Sequence, residues 1–502
     1  MPRHRAVRSL TQCCYRRIAL SFEKLWMRDY KRMFQDVPRL LHVIGPFDHL
    51  TADMIQYLLE ALIREKCIQR PHFTLLLKPQ ITRLDLKDAG MAANNDSVAK
   101  VVSHNCMRLV YLGLSGMNNI SARALADLVS LLPELRSLDL SQTGCNDQVL
   151  SNIGFHCHAL TDLNIRNTKT SNSGVFSICK ACHPEQGCKK LVRFIIYGTM
   201  INFKGALHCL QNLPSLQYLG FDDTCSLVEA DVQERTIQGH DNVNYRLRNI
   251  VAHGIKVLEV SEESITLACQ LCEQATEARL YCDINNNAVL SVKTLKNLTK
   301  LGIGNSHTQI LTFENGVLPV LREIGHQLEE LTLADVNDFD LVAIGNYCRN
   351  LQSLSLLVSE DNENQLPSVT NMFVDGHHVI FSKLKRLEIH FPMSETNLQR
   401  NAFVILLKNA KTLTKVTLQY VSWLTTDIFQ EVLEENPLIM LREMKLVYCD
   451  VIEGEAIKRL VFESNDLHTL NLFKCRNISR QDFEQMNKYV KKNNLNLSIS
   501  WD

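Results

Sequence analysis

The 502-residue chain has no run approaching the roughly 20 apolar residues that a membrane-spanning helix needs, and no apolar signal-peptide core follows Met1. Neither a bilayer span nor secretion is expected. A surplus of one charge is also missing. Lys plus Arg and Asp plus Glu stand at 54 each, which gives no global reason to expect nucleic acid or an acidic substrate. G-x-S-x-G, a phosphate loop and H-E-x-x-H are absent, and Gly302 with Gly304 is a lone G-x-G inside a strand pattern. No carboxylate spacing nominates an acid/base pair. The chain therefore reads as a non-enzyme, with no catalytic residue, cofactor or metal ligand expected.

Cysteine, by contrast, is plentiful. Seventeen is an odd number, and without a secretory signal these should be mostly reduced thiols of a cytoplasmic or nuclear protein. Charge is unbalanced only at the start, where Arg3, Arg5, Arg8, Arg16, Arg17, Lys24, Arg28, Lys31 and Arg32 face Glu23 and Asp29. We read this as the solvated basic face of a docking helix, a mitochondrial transit peptide being the alternative.

The dominant pattern is an apolar frame, L-x-x-L-x-L. It runs from "ITRLDL" at Ile81 through "LVYLGL" at Leu109, "LRSLDL" at Leu135, "LTDLNI" at Leu160, "LVRFII" at Leu191 and "LQYLGF" at Leu216. After a degraded stretch it resumes as "IKVLEV" at Ile255, "ATEARL" at Ala275 and "LTKLGI" at Leu298, and ends at "LHTLNL", Leu467. The steps lie mostly between 23 and 31 residues, the leucine-rich-repeat period. In each unit the L-x-L residues of a short strand point inward, and stacked units pair their strands into a parallel sheet. Downstream, "NNISARALADL", "SWLTTDIFQEVL", "DVIEGEAIKRL" and "RNISRQDFEQM" read as helices; Ser121, Thr425 and Ser479 are their caps in three units, and Leu125, Phe429 and Phe483 their inward residues. The expected fold is an α/β leucine-rich-repeat solenoid, a horseshoe of about 15 units over residues 81–502, preceded by a helical segment over 1–80.

Cysteine enters the same frame. Cys106, Cys157, Cys188 and Cys348 stand three residues before the first Leu of a strand, and Cys449 and Cys475 three after the last. "CKACH", Cys179 to His183, matches the c-type haem attachment pattern, yet it falls on a repeat helix and packing is the expected role. Residues 222–254 and 357–383 depart from the frame, as worn repeats or rim loops; the first is a candidate for shaping the ligand surface.

Two amphipathic stretches precede the repeats. In "SLTQCCYRRIALSFEKLWMRDY", Leu10, Cys14 and Ile18 fall four apart, with Phe22 and Leu25 extending the stripe. In "LTADMIQYLLEALIREKCI", Leu50, Met54 and Leu58 form one stripe and Ile55, Leu59 and Leu62 another, so one side is free to meet a neighbour while the other caps the solenoid.

These residues carry a resemblance. "SLTQCCYRRI" resembles the elongin-binding BC box, with Ser9, Leu10, Cys14 and Ile18 in its constrained places. "HLTADMIQYLL" is similar to the cullin box of VHL-box receptors, with Thr51 where that family usually has Pro, and "VPRLL" at Val37 offers a second register. The layout resembles VHL-box leucine-rich-repeat substrate receptors of the Zyg-eleven and PRAME groups. What the resemblance implies is a substrate-recognition subunit of a cullin-RING ubiquitin ligase. Its Leu10, Cys14 and Ile18 would enter a groove of elongin B/C, and Leu50, Met54 and Leu58 would face a cullin. A target protein, rather than nucleic acid or membrane, would sit on outward strand positions, of which Arg166, Tyr197, Tyr218 and Asp222 lie side by side on adjacent units. Two alternatives stand: an F-box-type receptor using a Skp-type adaptor, since "LTADMIQYLLEAL" approximates that opening too, and a repeat scaffold unrelated to ubiquitin.

Overall fold

A strand whose alternate residues are Leu needs neighbours on both edges and a cover on its apolar face, and each repeat supplies one strand and one helix toward that end. The structure is a computed structural model; it describes residues 9–27, 30, 47–179, 187–238, 244–253, 260–304, 311–336, 339–358, 380–391 and 400–502. The protein has the leucine-rich-repeat α/β fold. It divides into two compact units, one holding the N-terminal helices and a six-stranded sheet, the other a ten-stranded sheet.

In the first unit β1 (Arg83–Asp85), β2 (Tyr111–Gly113), β3 (Ser137–Asp139), β4 (Asp162–Asn164), β5 (Arg193–Ile195) and β6 (Tyr218–Gly220) pair in parallel in sequence order. The middle residues Leu84, Leu112, Leu138, Leu163, Phe194 and Leu219 share one register row, and all are buried. Each helix leads into the next strand through a tight turn. Leu109, Leu160 and Leu191 donate their N–H groups to the carbonyls of Cys106, Cys157 and Cys188 at 3.0 to 3.2 Å. The cysteines fit there because the position is sealed, and burial pushes the Cys106 and Cys157 thiols up to about 12.

The second unit repeats the scheme with five-residue strands and a four-residue last one: β7 (Asn249–His253), β8 (Glu277–Tyr281), β9 (Lys300–Gly304), β10 (Glu330–Ala334), β11 (Ser353–Leu357), β12 (Arg386–His390), β13 (Lys415–Gln419), β14 (Glu443–Val447), β15 (Thr469–Phe473) and β16 (Ser498–Trp501). Here the expected frame needs correction. The strand of the degraded stretch is Asn249–His253, not the segment from Ile255, whose residues 255–259 lie outside the described ones. Its frame is "LRNIVA", with Leu247, Ile250 and Ala252 buried. The rest of that stretch holds the helix Thr224–Ile237. The insertion between β11 and β12 leaves the ladder intact, since those strands pair directly.

Ser121, Thr425 and Ser479 each accept a hydrogen bond from the backbone three residues on, as N-caps. Leu125 and Phe429 point inward, whereas Phe483 is half-buried, stacks on Trp501 at 5.9 Å between ring centroids, and leaves the inward place to Met486.

Candidate functional site

The opening helix, α1 (Leu10–Phe22), starts where it does because Ser9 and Gln12 form a capping box. Ser9 Oγ accepts from the Gln12 N–H and Gln12 Oε1 from the Ser9 N–H, both at 3.1 Å. The small residue of the BC-box pattern is thus also the helix cap. Four residues turn a helix through about 400°, so a stripe at every fourth position drifts by about 40° per step. That drift carries this stripe from solvent into the core. Leu10 is 82% exposed, Cys14 is exposed, Ile18 is half-buried and Phe22 is fully buried. The expectation that Phe22 extends the open stripe is therefore corrected. Leu25, in the π-helical stretch Glu23–Met27, is 59% exposed.

The inward side of α1 is anchored. Phe22 stacks on Phe47 at 5.2 Å and meets the His72 ring edge-on at 4.7 Å. Tyr15 lies 5.7 Å from Tyr57, and Arg16 Nε donates to Glu65 Oε1 at 2.9 Å, which ties α1 to α2 (Ala52–Arg64). His72 belongs to α3 (Arg70–Leu76), where its Nδ1 accepts from the Gln69 N–H at 3.0 Å. Burial pushes its pKa down to about 4 against the opposing pull of Glu23.

The second stripe is different. Thr51 caps α2 by accepting from the Met54 N–H at 3.3 Å. Leu58 is buried along with Ile55, Leu59 and Leu62, and Leu50 is half-buried, so Leu50, Met54 and Leu58 do not form an open face. What the helix offers outward is Met54, 44% exposed, together with Tyr57.

On the first sheet, register places Arg166, Tyr197 and Asp222 in one row just past β4, β5 and β6, with Tyr218 below Asp222 on β6 itself. Arg166 is exposed and the other three are half-buried. The Arg193 guanidinium lies 4.5 Å above the Tyr218 ring, and Tyr197 fills the space beside Gly220, where a Cβ would come within 3.0 Å of its ring. These four are thus neighbours on one surface, partly engaged with their own chain.

Two surfaces were missed in the sequence. Gly302 and Gly304 form a berth for Tyr281, whose ring crosses β9 and whose hydroxyl bonds Thr332 on β10. Tyr420 and Tyr448, just past β13 and β14, and Phe473, the last residue of β15, form a ring cluster. The available signal was an aromatic two residues after the last Leu of the frame, in "LQY" and "LVY". Cys179 and Cys188 are buried, Cys182 and His183 lie outside the described residues, and among the described residues no group of three or more His, Cys, Asp or Glu is placed to hold a metal. No described helix is long and apolar enough to cross a membrane.

No protein-family model matches the chain, and no curated protein does. Among solved structures it is similar to the Rad7 and Elc1 complex in yeast, at 16% identity over 90% of this chain and 96% of that one, with a TM-score of 0.48. It is also similar to a leucine-rich-repeat protein of Leptospira interrogans, at 15% identity over 91% and 100% of the two chains, TM-score 0.40. An internalin of Listeria monocytogenes matches at 14% identity over 92% and 98%, TM-score 0.35.

Proposed function

We propose that this chain is a non-catalytic substrate receptor of a cullin-RING ubiquitin ligase, docking on elongin B/C through α1 and holding a target protein on the repeat surface. The observation that carries the reading is the division of labour on α1. Its Phe22 side is locked into its own chain while Leu10 and Cys14, one turn apart, stay in solvent. A fully buried Leu is worth roughly 1.5–3 kcal/mol over an exposed one, so a helix presenting Leu10 retains free energy for a partner's groove. The cullin would meet Met54 and Tyr57 rather than Leu58. The mechanism is positional: tethering the target beside the charged ubiquitin carrier raises its effective concentration.

The test is capture of purified elongin B/C by the intact chain and by its Leu10→Ser, Cys14→Ser variant. We expect wild-type capture and its loss in the variant with an unchanged thermal midpoint. Equal capture by both would overturn the reading. A Skp-type adaptor captured instead would favour the F-box alternative, and neither would favour a plain scaffold.

A further inference from the structure

Charges on the outward face of the second sheet pair off strand by strand. Glu330 takes Lys300 at 3.3 Å and Arg386 at 2.7 Å, Glu443 takes Lys415 at 3.0 Å, Glu277 takes Arg279 at 2.5 Å, and Glu388 faces His390 at 3.2 Å. Lys445 on β14 breaks the rule. It is exposed, and no carboxylate among the described residues lies within ion-pair distance; its register neighbours are Thr417 and Asn471. Lys474, just past β15, is likewise exposed and without a carboxylate among the described residues, its ammonium 5.6 Å from the centre of the Phe473 ring.

The two unbalanced cations flank the ring cluster. Tyr420 and Tyr448 stack with centroids 4.7 Å apart and planes 10° from parallel, and Phe473, 37% exposed, meets Tyr448 edge-on at 6.2 Å. The backbone there is strained. Several turns that follow a strand take a residue at positive φ, and earlier in the chain that place is held by Gly116, Gln142, Asn167, Gly198 and Asp335. At the equivalent places stand Tyr420 (φ 54°), Tyr448 (φ 52°) and Lys474 (φ 50°). A bulky residue in this region costs roughly 1–2 kcal/mol that glycine avoids. Three consecutive turns accept that cost to hold two rings and a lysine side by side, partly open to solvent.

We propose that this strip, Tyr420, Tyr448 and Phe473 bordered by Lys445 and Lys474, receives an acidic peptide segment of a partner protein that carries an apolar side chain among its carboxylates. The rings take the apolar side chain and the lysines take the charge. Single-stranded nucleic acid would use the same residue types, but it needs a basic track along the backbone. Here Glu443, Asp450 and Asp466 stand among the cations, engaged with Lys415, Arg476 and Arg442. The proposal deepens the reading that the repeat surface holds a target, and its test requires no elongin.

The probe is a short fluorescein-labelled peptide of glutamates around a central Phe-Leu pair, titrated into the purified full chain and followed by anisotropy. We expect saturable binding that weakens with salt, and a loss of about tenfold or more in the Lys445→Glu, Lys474→Glu variant. The Tyr420→Gly, Tyr448→Gly variant removes the rings while relieving the backbone, so it should keep its fold by circular dichroism and lose the peptide. Equal binding to either variant, no saturable binding by wild type, or full displacement by oligothymidylate would overturn the proposal.

Discussion

At the scale of single residues, glycine matters here where another side chain already occupies its Cβ position. A methyl on Gly302 would lie 2.4 Å from the Tyr281 hydroxyl, and one on Gly304 2.5 Å from Tyr281 Cδ1. The ring cannot move aside cheaply, since it is held by Thr332 and by His253, whose ring lies 5.2 Å away. Gly302→Ala should therefore destabilise the second unit by about 1–3 kcal/mol, read as a lower urea midpoint. Tyr281→Ala empties the berth, so adding Gly302→Ala to that background should cost little. A cycle that comes out additive would show that the methyl and the ring do not compete. Leu10 is the opposite case. Being 82% exposed, it should be replaceable with little change in stability, and any loss of partner capture then belongs to the contact itself.

At the scale of elements, the joint between α1 and α3 depends on a neutral imidazole. His72 is buried, and its pKa falls from 6.5 to about 4. A histidine with a depressed folded pKa binds its proton more readily when unfolded, so stability is full above pH 6.5 and declines as pH drops toward 4. By pH 5 the loss should reach about 2 kcal/mol, seen as faster amide exchange across α1, and His72→Gln should flatten the dependence. Which elements were legible in the sequence follows from the same physics. Strands were legible wherever Leu occupied the frame, because the two inward residues have one buried environment and little latitude. β7 was not, because Ala252 fills the third place and a tighter leucine-like match begins at Ile255. Spacing could have decided it. From Leu216 to Leu247 and from Leu247 to Ala275 the steps are 31 and 28 residues, against 39 and 20 through Ile255. The α1 stripe was legible at its first two places and misread at Phe22, since a four-residue step drifts around the helix. The burial of Leu58 could not be read, because both stripes of α2 are equally apolar and only packing chooses between them.

At the scale of the whole molecule, the cysteines separate the repeat core from the opening helix. Thirteen of the described thiols are buried, and burial raises Cys145, Cys272, Cys282 and Cys348 to about 12. The thiolate is the reacting form, and at pH 8 such a group is ionised to only about one part in ten thousand, behind packed side chains besides. Cys13 and Cys14 are exposed and Cys67 is half-buried. Brief iodoacetamide treatment of the native protein, mapped by peptide mass, should therefore label Cys13 and Cys14 first, Cys67 more slowly, and the buried set only after unfolding. The pair also serves as its own control. Neighbouring residues on a helix point about 100° apart, so a partner seated on the Leu10 stripe covers Cys14 more fully than Cys13. With elongin B/C bound, labelling of Cys14 should fall at least severalfold while Cys13 changes less. If both rates stay unchanged in a complex that has formed, the contact lies elsewhere on the chain and α1 is not the docking element.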